Sequence, residues 1–182
     1  MKFLLPITFL LLLTACENKL SDIHSLTDKR VMVEEGINIE TLLSQGSRMK
    51  AKMWSPYMLR YQEDTVYVEF PRSLHVNFFD STGKVESHLD ALYGKYYETL
   101  NRVFLRDSVL VYNMQGDTLR CPELWWDQST QQLYTDKPVQ IRKSGHKIYG
   151  VAMVAKQDLS DVNIKEVTNS ILDVPDSLAA GL

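Results

Sequence analysis

Three nine-residue segments of this chain superimpose without gaps: 68–76, 103–111 and 133–141, offset by 35 and 30 residues. Each is followed by a turn that carries a glycine, at Gly83, Gly116 and Gly145. A second apolar run follows the turn, ending in Leu92-Tyr93-Gly94 after the first segment and in Trp125-Trp126-Asp127 after the second. Repetition at this period marks stacked hairpin units, none of which buries its apolar face alone. Between Val31 and Ile171 there is no long amphipathic helix pattern. Ile39, Leu42 and Leu43 have helical spacing, but Gly46 limits that stretch to a turn or two of helix. Nine Tyr, six Phe and three Trp lean towards strand. Turn signals at Gln45-Gly46-Ser47, Gln62-Glu63-Asp64, Asp80-Ser81-Thr82-Gly83, Gln115-Gly116-Asp117 and Lys143-Ser144-Gly145 punctuate the strand-like runs.

Successive strand residues point to opposite faces. Val68, Phe70, Leu74 and Val76 therefore share one face. So do Val103, Leu105, Val109 and Val111, and so do Leu133, Val139 and Ile141, with Leu119 on the following run. The same parity carries a charge at each midpoint: Arg72, Asp107 and Lys137. A charge at the centre of an apolar face is costly unless it escapes. Pro71 and Pro138 adjoin two of these charges and cannot donate to a ladder. A bend or bulge at each midpoint, turning the charge outward, resolves the conflict. The expected fold is all-β, a twisted jelly roll or elongated two-sheet sandwich of cornered hairpins over residues 31–171. Alternation alone leaves two readings of the interior open: a packed core or a lipid groove.

The amino terminus reads differently. Lys2 precedes an apolar run from Phe3 to Leu13, and Leu13-Thr14-Ala15-Cys16 closes it. The run is too short to span a bilayer and has the organisation of a secretory signal. Leu13-Thr14-Ala15-Cys16 resembles a bacterial lipobox, which implies a signal peptide over 1–15 and a diacylglycerol on Cys16. Residues 16–30 read as a polar tether and 172–182 as a loose tail, where Pro175 cannot extend a ladder. The whole chain has 20 Lys+Arg against 23 Asp+Glu; without Lys2 the mature chain keeps 19 basic residues and stands at −4. No basic excess marks a nucleic-acid partner. With Cys16 acylated, Cys121 has no internal disulfide partner and reads as a small core residue.

No catalytic constellation emerges. His24, His75, His88 and His146 lack metal-ligand spacing, and no G-x-S-x-G elbow or P-loop occurs. Cys121 has no identifiable base. The chain reads as a non-enzyme with no cofactor.

Phe70-Pro71, then Leu74-His75-Val76-Asn77-Phe78-Phe79-Asp80 and Gly83-Lys84-Val85-Glu86-Ser87, resemble the first diagnostic block of the LptC family of lipopolysaccharide-export proteins. Ala91-Leu92-Tyr93-Gly94-Lys95-Tyr96-Tyr97 is similar to the next block. Val109-Leu110-Val111-Tyr112-Asn113-Met114-Gln115-Gly116-Asp117-Thr118-Leu119 is similar to the central one. Glu123-Leu124-Trp125-Trp126-Asp127, Tyr134-Thr135-Asp136-Lys137 and Ile148-Tyr149-Gly150 complete an ordered set across residues 35–168. The chain departs from the family at Val151-Ala152, where a second glycine is common, and at Asp107-Ser108, where the family has Gly-Asn. The resemblance implies a jelly roll of the type shared with LptA, with the twelve inward apolar residues forming a groove for lipid A acyl chains and Gly150 in a family-motif turn. It further implies lipopolysaccharide received from the LptB, LptF and LptG transporter and passed to an LptA-like carrier. ATP is spent on LptB, so this chain needs no catalytic residue. Cys16 would then tether a periplasmic domain, by the family role to the inner membrane. The competing reading is a lipoprotein interaction module whose β-sandwich binds protein or glycan.

Overall fold

The computed structural model describes residues 32–62 and 65–172. Eleven strands form one antiparallel sheet. They are β1 (Met32–Gln45), β2 (Arg48–Gln62), β3 (Tyr67–Phe70), β4 (Leu74–Phe79), β5 (Val85–Ala91), β6 (Tyr93–Tyr97), β7 (Arg102–Asn113), β8 (Thr118–Asp127), β9 (Gln132–Lys143), β10 (His146–Lys156) and β11 (Val162–Leu172). The stretch around Ile39 and Leu43, expected to hold a turn or two of helix, is strand: β1 pairs with β2 from Met32↔Gln62 to Gln45↔Arg48. β1 lies at the sheet edge with both faces largely exposed, so burial imposes no period-two pattern on it. Gly46 and Ser47 both have positive φ and close the hairpin as a two-residue turn. Two other turns are tied by side chains. Asp80 Oδ1 accepts from Thr82 N at 2.7 Å and Lys84 N at 3.0 Å, and Asn113 Oδ1 accepts from Gln115 N at 3.1 Å and Asp117 N at 2.9 Å.

The pairing is a meander of bent strands. β3 and β4 are two halves of one strand broken at Pro71-Arg72-Ser73; β3 pairs the far half of β2 and β4 the near half. β5 and β6 are likewise halves of one strand broken at Leu92, and both pair β7. The two layers expected of a sandwich are thus the two arms of the same strands, folded over a shared corner. One arm holds β4, β5 and residues 109–113, 118–121 and 139–143. The other holds β3, β6 and residues 102–106, 123–127 and 132–135.

Every second strand carries one extra residue at the corner. Arg106 pairs Glu123 and Val109 pairs Cys121, which sets Asp107 and Ser108 against Pro122 alone. Thr135 pairs Met153 and Pro138 pairs Val151, which sets Asp136 and Lys137 against Ala152. Phe70 pairs Gly94 and Leu74 pairs Ala91, leaving three residues opposite two. These are β-bulges, which bend a strand and sharpen its twist. They also dispose of the midpoint charges. Asp107 is exposed, Arg72 lies over the Tyr57 ring at 4.6 Å, and Lys137 reaches Glu123 at 3.7 Å. The extra residue keeps inward parity unbroken through β3–β4, β7 and β9. The opposing strands flip instead: Leu119 and Cys121 point inward before Pro122, Leu124 and Trp126 after it.

The flip in β10 passes through Ala152, at φ +58°, between inward Gly150 and inward Met153. Gly150 is therefore not in a turn. It lies inside β10, at the register shift against β11, and a Cβ there would stand 2.5 Å from Glu166 O and against Ile164. The left-handed position belongs to Ala152, where an L-residue costs about 1–2 kcal/mol and glycine does not. Ala152→Gly should raise stability by about 0.5–1 kcal/mol after the glycine entropy term. Gly150→Ala should lower it by about 1–3 kcal/mol through overpacking against the β11 backbone. Urea unfolding midpoints of the two variants should move in opposite directions.

Candidate functional site

The twelve apolar residues expected to share one face are all inward and all buried, with exposures from 0 to 7%. Phe70, Val68, Val103, Leu105 and Leu133 come from one arm; Leu74, Val76, Val109, Val111, Leu119, Val139 and Ile141 come from the other. They form a single cluster. Phe78 and Trp126 meet across the arms, ring edge to ring face, at 4.9 Å and 78°. In this state the twelve residues pack on one another rather than lining an open trough.

Several further inward residues escape the sequence reading. Phe78 continues the parity of Leu74 and Val76 and could have been found by extension. Leu89 and Ala91 follow the same alternation in β5. Leu124 and Trp126 could not be found that way, because the parity flip at Pro122 hides them. Trp125 and Trp126 accordingly divide: Trp126 is core, while Trp125 is half-buried on the outer face against Phe104 and Tyr134.

The space between the arms is closed on one side by residues 157–160. Ser87 Oγ donates to Gln157 O at 2.7 Å, and Asn113 Nδ2 to Asp158 O at 3.1 Å. Gln157 Nε2 donates to Glu86 Oε1 at 3.1 Å, and Lys143 Nζ to Leu159 O at 2.7 Å and Ser160 O at 3.0 Å. Leu159, held at φ +59°, is fully buried beneath this strap. On the β1 side the closure is lighter: Gln131 Nε2 reaches Gln45 Oε1 at 3.5 Å. Two cavities lie there. One, of about 100 Å³, is mostly apolar and bordered by Leu42, Leu43, Met53, Phe70, Tyr96 and Trp126. The other, of about 150 Å³, is bordered by Leu43, Lys50, Asn101, Trp126, Gln128 and Gln157. Cavities of this size admit a benzene-sized apolar group. A single chain segment fits, and several acyl chains require the arms to part.

Polar chemistry is sparse. Among the described residues no cluster of His, Cys, Asp and Glu could hold a metal ion. His75 and His88 stack at 5.6 Å and both contact Asn77 Oδ1, at 2.7 and 2.6 Å. Burial, and then the neighbouring His75, lower the His88 pKa. Burial pushes the Cys121 thiol up to about 12, which leaves it a weak nucleophile at neutral pH. Cys16 and the tail beyond Leu172 lie outside the described residues.

Both edges of the meander are unpaired within the described residues. β1 pairs only β2, and β11 pairs only β10. Each presents apolar side chains to solvent: Met32, Val33, Ile37 and Leu42 on β1, Val167 and Ile171 on β11. Unpaired edges of this kind accept a strand from another chain.

No curated protein matches the chain. A family model described as lipopolysaccharide-assembly, LptC-related, matches residues 3–173, spanning the cornered meander from β1 to β11. With an all-β fold of bent strands around one continuous apolar interior, this chain belongs to the LptC-related family of lipopolysaccharide-assembly proteins.

Proposed function

We propose that this protein takes lipopolysaccharide from the LptB, LptF and LptG transporter, holds its acyl chains between the two arms, and passes it to an LptA-like carrier. The observation that carries this reading is an apolar interior running without interruption from strand to strand, between two free sheet edges. A partner strand added to β1 or β11 would extend both the sheet and that interior, so a chain could slide onward without meeting water. Hand-over of this kind needs no catalytic group on the protein itself.

The twelve inward residues act as the groove when the arms separate. Separation is easiest on the β1 side, where one long hydrogen bond between Gln131 and Gln45 spans the gap, against five side-chain hydrogen bonds and the Gln157 N to Gln131 O bond that fix the strap. The tight packing of the same residues also suits a sandwich that serves only as an interaction module. Loading separates the two readings.

Cys16, acylated as the mature amino terminus, holds the domain at the periplasmic face of the inner membrane through the 16–30 tether. Two or more acyl chains give stable attachment where one does not.

Arginine substitutions test the interior. Val109 borders a cavity of about 430 Å³ at the corner, beside Ser108, Cys121 and Tyr149, which gives a guanidinium room. Leu105 is fully buried. Val109→Arg should fold with a modest loss of stability and fail to retain lipopolysaccharide. Leu105→Arg should lose several kcal/mol, the cost of an unpaired buried charge. Circular dichroism together with co-purification of radiolabelled lipopolysaccharide checks both; undiminished retention by folded Val109→Arg would contradict the interior as the groove, and absence of retention by the unsubstituted chain would favour the interaction module. For the anchor, Cys16→Ala should leave unprocessed precursor that takes up no labelled palmitate. Processing of that variant to the wild-type mature mass would contradict acylation.

A further inference from the structure

Trp126, which borders both β1-side cavities, carries a buried hydrogen-bond donor with no acceptor among the described residues. Trp126 points inward from β8, between Val103 of β7 and Leu133 of β9, with Phe78 against its ring. It is 3% exposed, and its indole Nε1 is buried with no hydrogen-bond partner among the described residues. Buried indole N–H groups ordinarily find a partner, and leaving one unpaired is unfavourable. The other two tryptophans are placed differently: Trp125 lies half-buried on the outer face and Trp54 is exposed.

Trp126 borders both cavities, and the two differ in chemistry. The smaller is apolar, with Met53, Phe70 and Tyr96. The larger has an amide-rich rim with the Lys50 ammonium, Asn101 and Gln128. An occupant that satisfies both is apolar at one end and polar at the other. At the junction, beside Trp126, it carries an oxygen that can accept a hydrogen bond. A hydrocarbon fills the first cavity but leaves the indole unpaired, while a water-soluble anion meets the rim but not the apolar wall.

We propose that Trp126 is a ligand-binding residue. Its Nε1–H donates to the carbonyl or hydroxyl oxygen near the head of an acyl chain, whose first methylenes lie beside Met53, Phe70 and Tyr96. The polar head of the same molecule faces Lys50 and Gln128. This rests on the lipid-carrying function above and names the contact that distinguishes an acylated lipid from plain hydrocarbon. Lipopolysaccharide and membrane phospholipids both offer such an oxygen.

The test uses the acylated full chain in a detergent without carbonyl groups, with ¹⁵N in the indoles. It gives three indole N–H resonances, from Trp54, Trp125 and Trp126, assigned by single Trp→Phe variants. The probes are radiolabelled lipopolysaccharide, phosphatidylethanolamine vesicles and hexadecane, with bound label counted in the same samples. Lipopolysaccharide should move the Trp126 proton downfield and leave Trp54 and Trp125 in place, while hexadecane should not shift it downfield. Trp126→Phe should weaken lipopolysaccharide retention by about five-fold, the loss of one hydrogen bond. A downfield shift with phosphatidylethanolamine alone keeps the donor role and identifies the occupant as a membrane phospholipid. Bound lipopolysaccharide with an unmoved Trp126 resonance overturns the inference and leaves the carrier reading standing. Absence of bound lipopolysaccharide, with Trp126 unmoved by every probe, overturns both.

Discussion

The architecture depends on the bulge at each corner. A strand of ten or twelve residues with an apolar face and a charge at its centre cannot lie flat against a second sheet without burying that charge. Inserting one residue into every second strand turns Asp107 outward, lays Arg72 on Tyr57 and brings Lys137 to Glu123. It also bends the sheet so that each strand contributes to both layers. Because the arms are covalently continuous at the corner, the interior is a wedge. Its closed end is fixed by backbone and its open side by side chains and loops. A β-sandwich of two separate sheets has no such asymmetry.

That asymmetry bears on how a lipid could enter. The strap of residues 157–160 is held by six hydrogen bonds and a buried Leu159, whereas the β1 side has one long amide contact and two small cavities. Net hydrogen-bond contributions of about 1 kcal/mol each make the strap the costlier side to open. The packed state is compatible with the proposed transport. The interior is a place of low dielectric, and under that proposal a lipid would replace apolar contacts that the arms otherwise make with each other.

Much of this was legible in the sequence because the three repeated segments are the parity-keeping strands. Their apolar residues stay on one face through the corner, so simple alternation found Val103, Leu105, Val109 and Val111 together. The intervening strands were opaque. In β8 the flip at Pro122 moves the inward set from Leu119 and Cys121 to Leu124 and Trp126, and a single period cannot describe both halves. The helical spacing of Ile39, Leu42 and Leu43 misled because an edge strand exposed on both faces carries no burial signal. The Asp107-Ser108 departure marks a genuine corner, since both residues adopt positive φ, which Gly-Asn would adopt with less strain. Trp126 stood in a recognised block, but its unpaired indole depends on contacts that only the folded chain specifies.

The most direct test of the interior as the lipid path is site-specific photocrosslinking in living cells. A benzoylphenylalanine placed at Val111 or Leu119 faces the space between the arms. At the adjacent Leu110 or Arg120 it faces outward. Lipopolysaccharide adducts should form from Val111 and Leu119 and be absent from Leu110 and Arg120. Adducts from the outward pair alone, equal adducts from all four, or none from any correctly folded variant would contradict a lipid path between the arms.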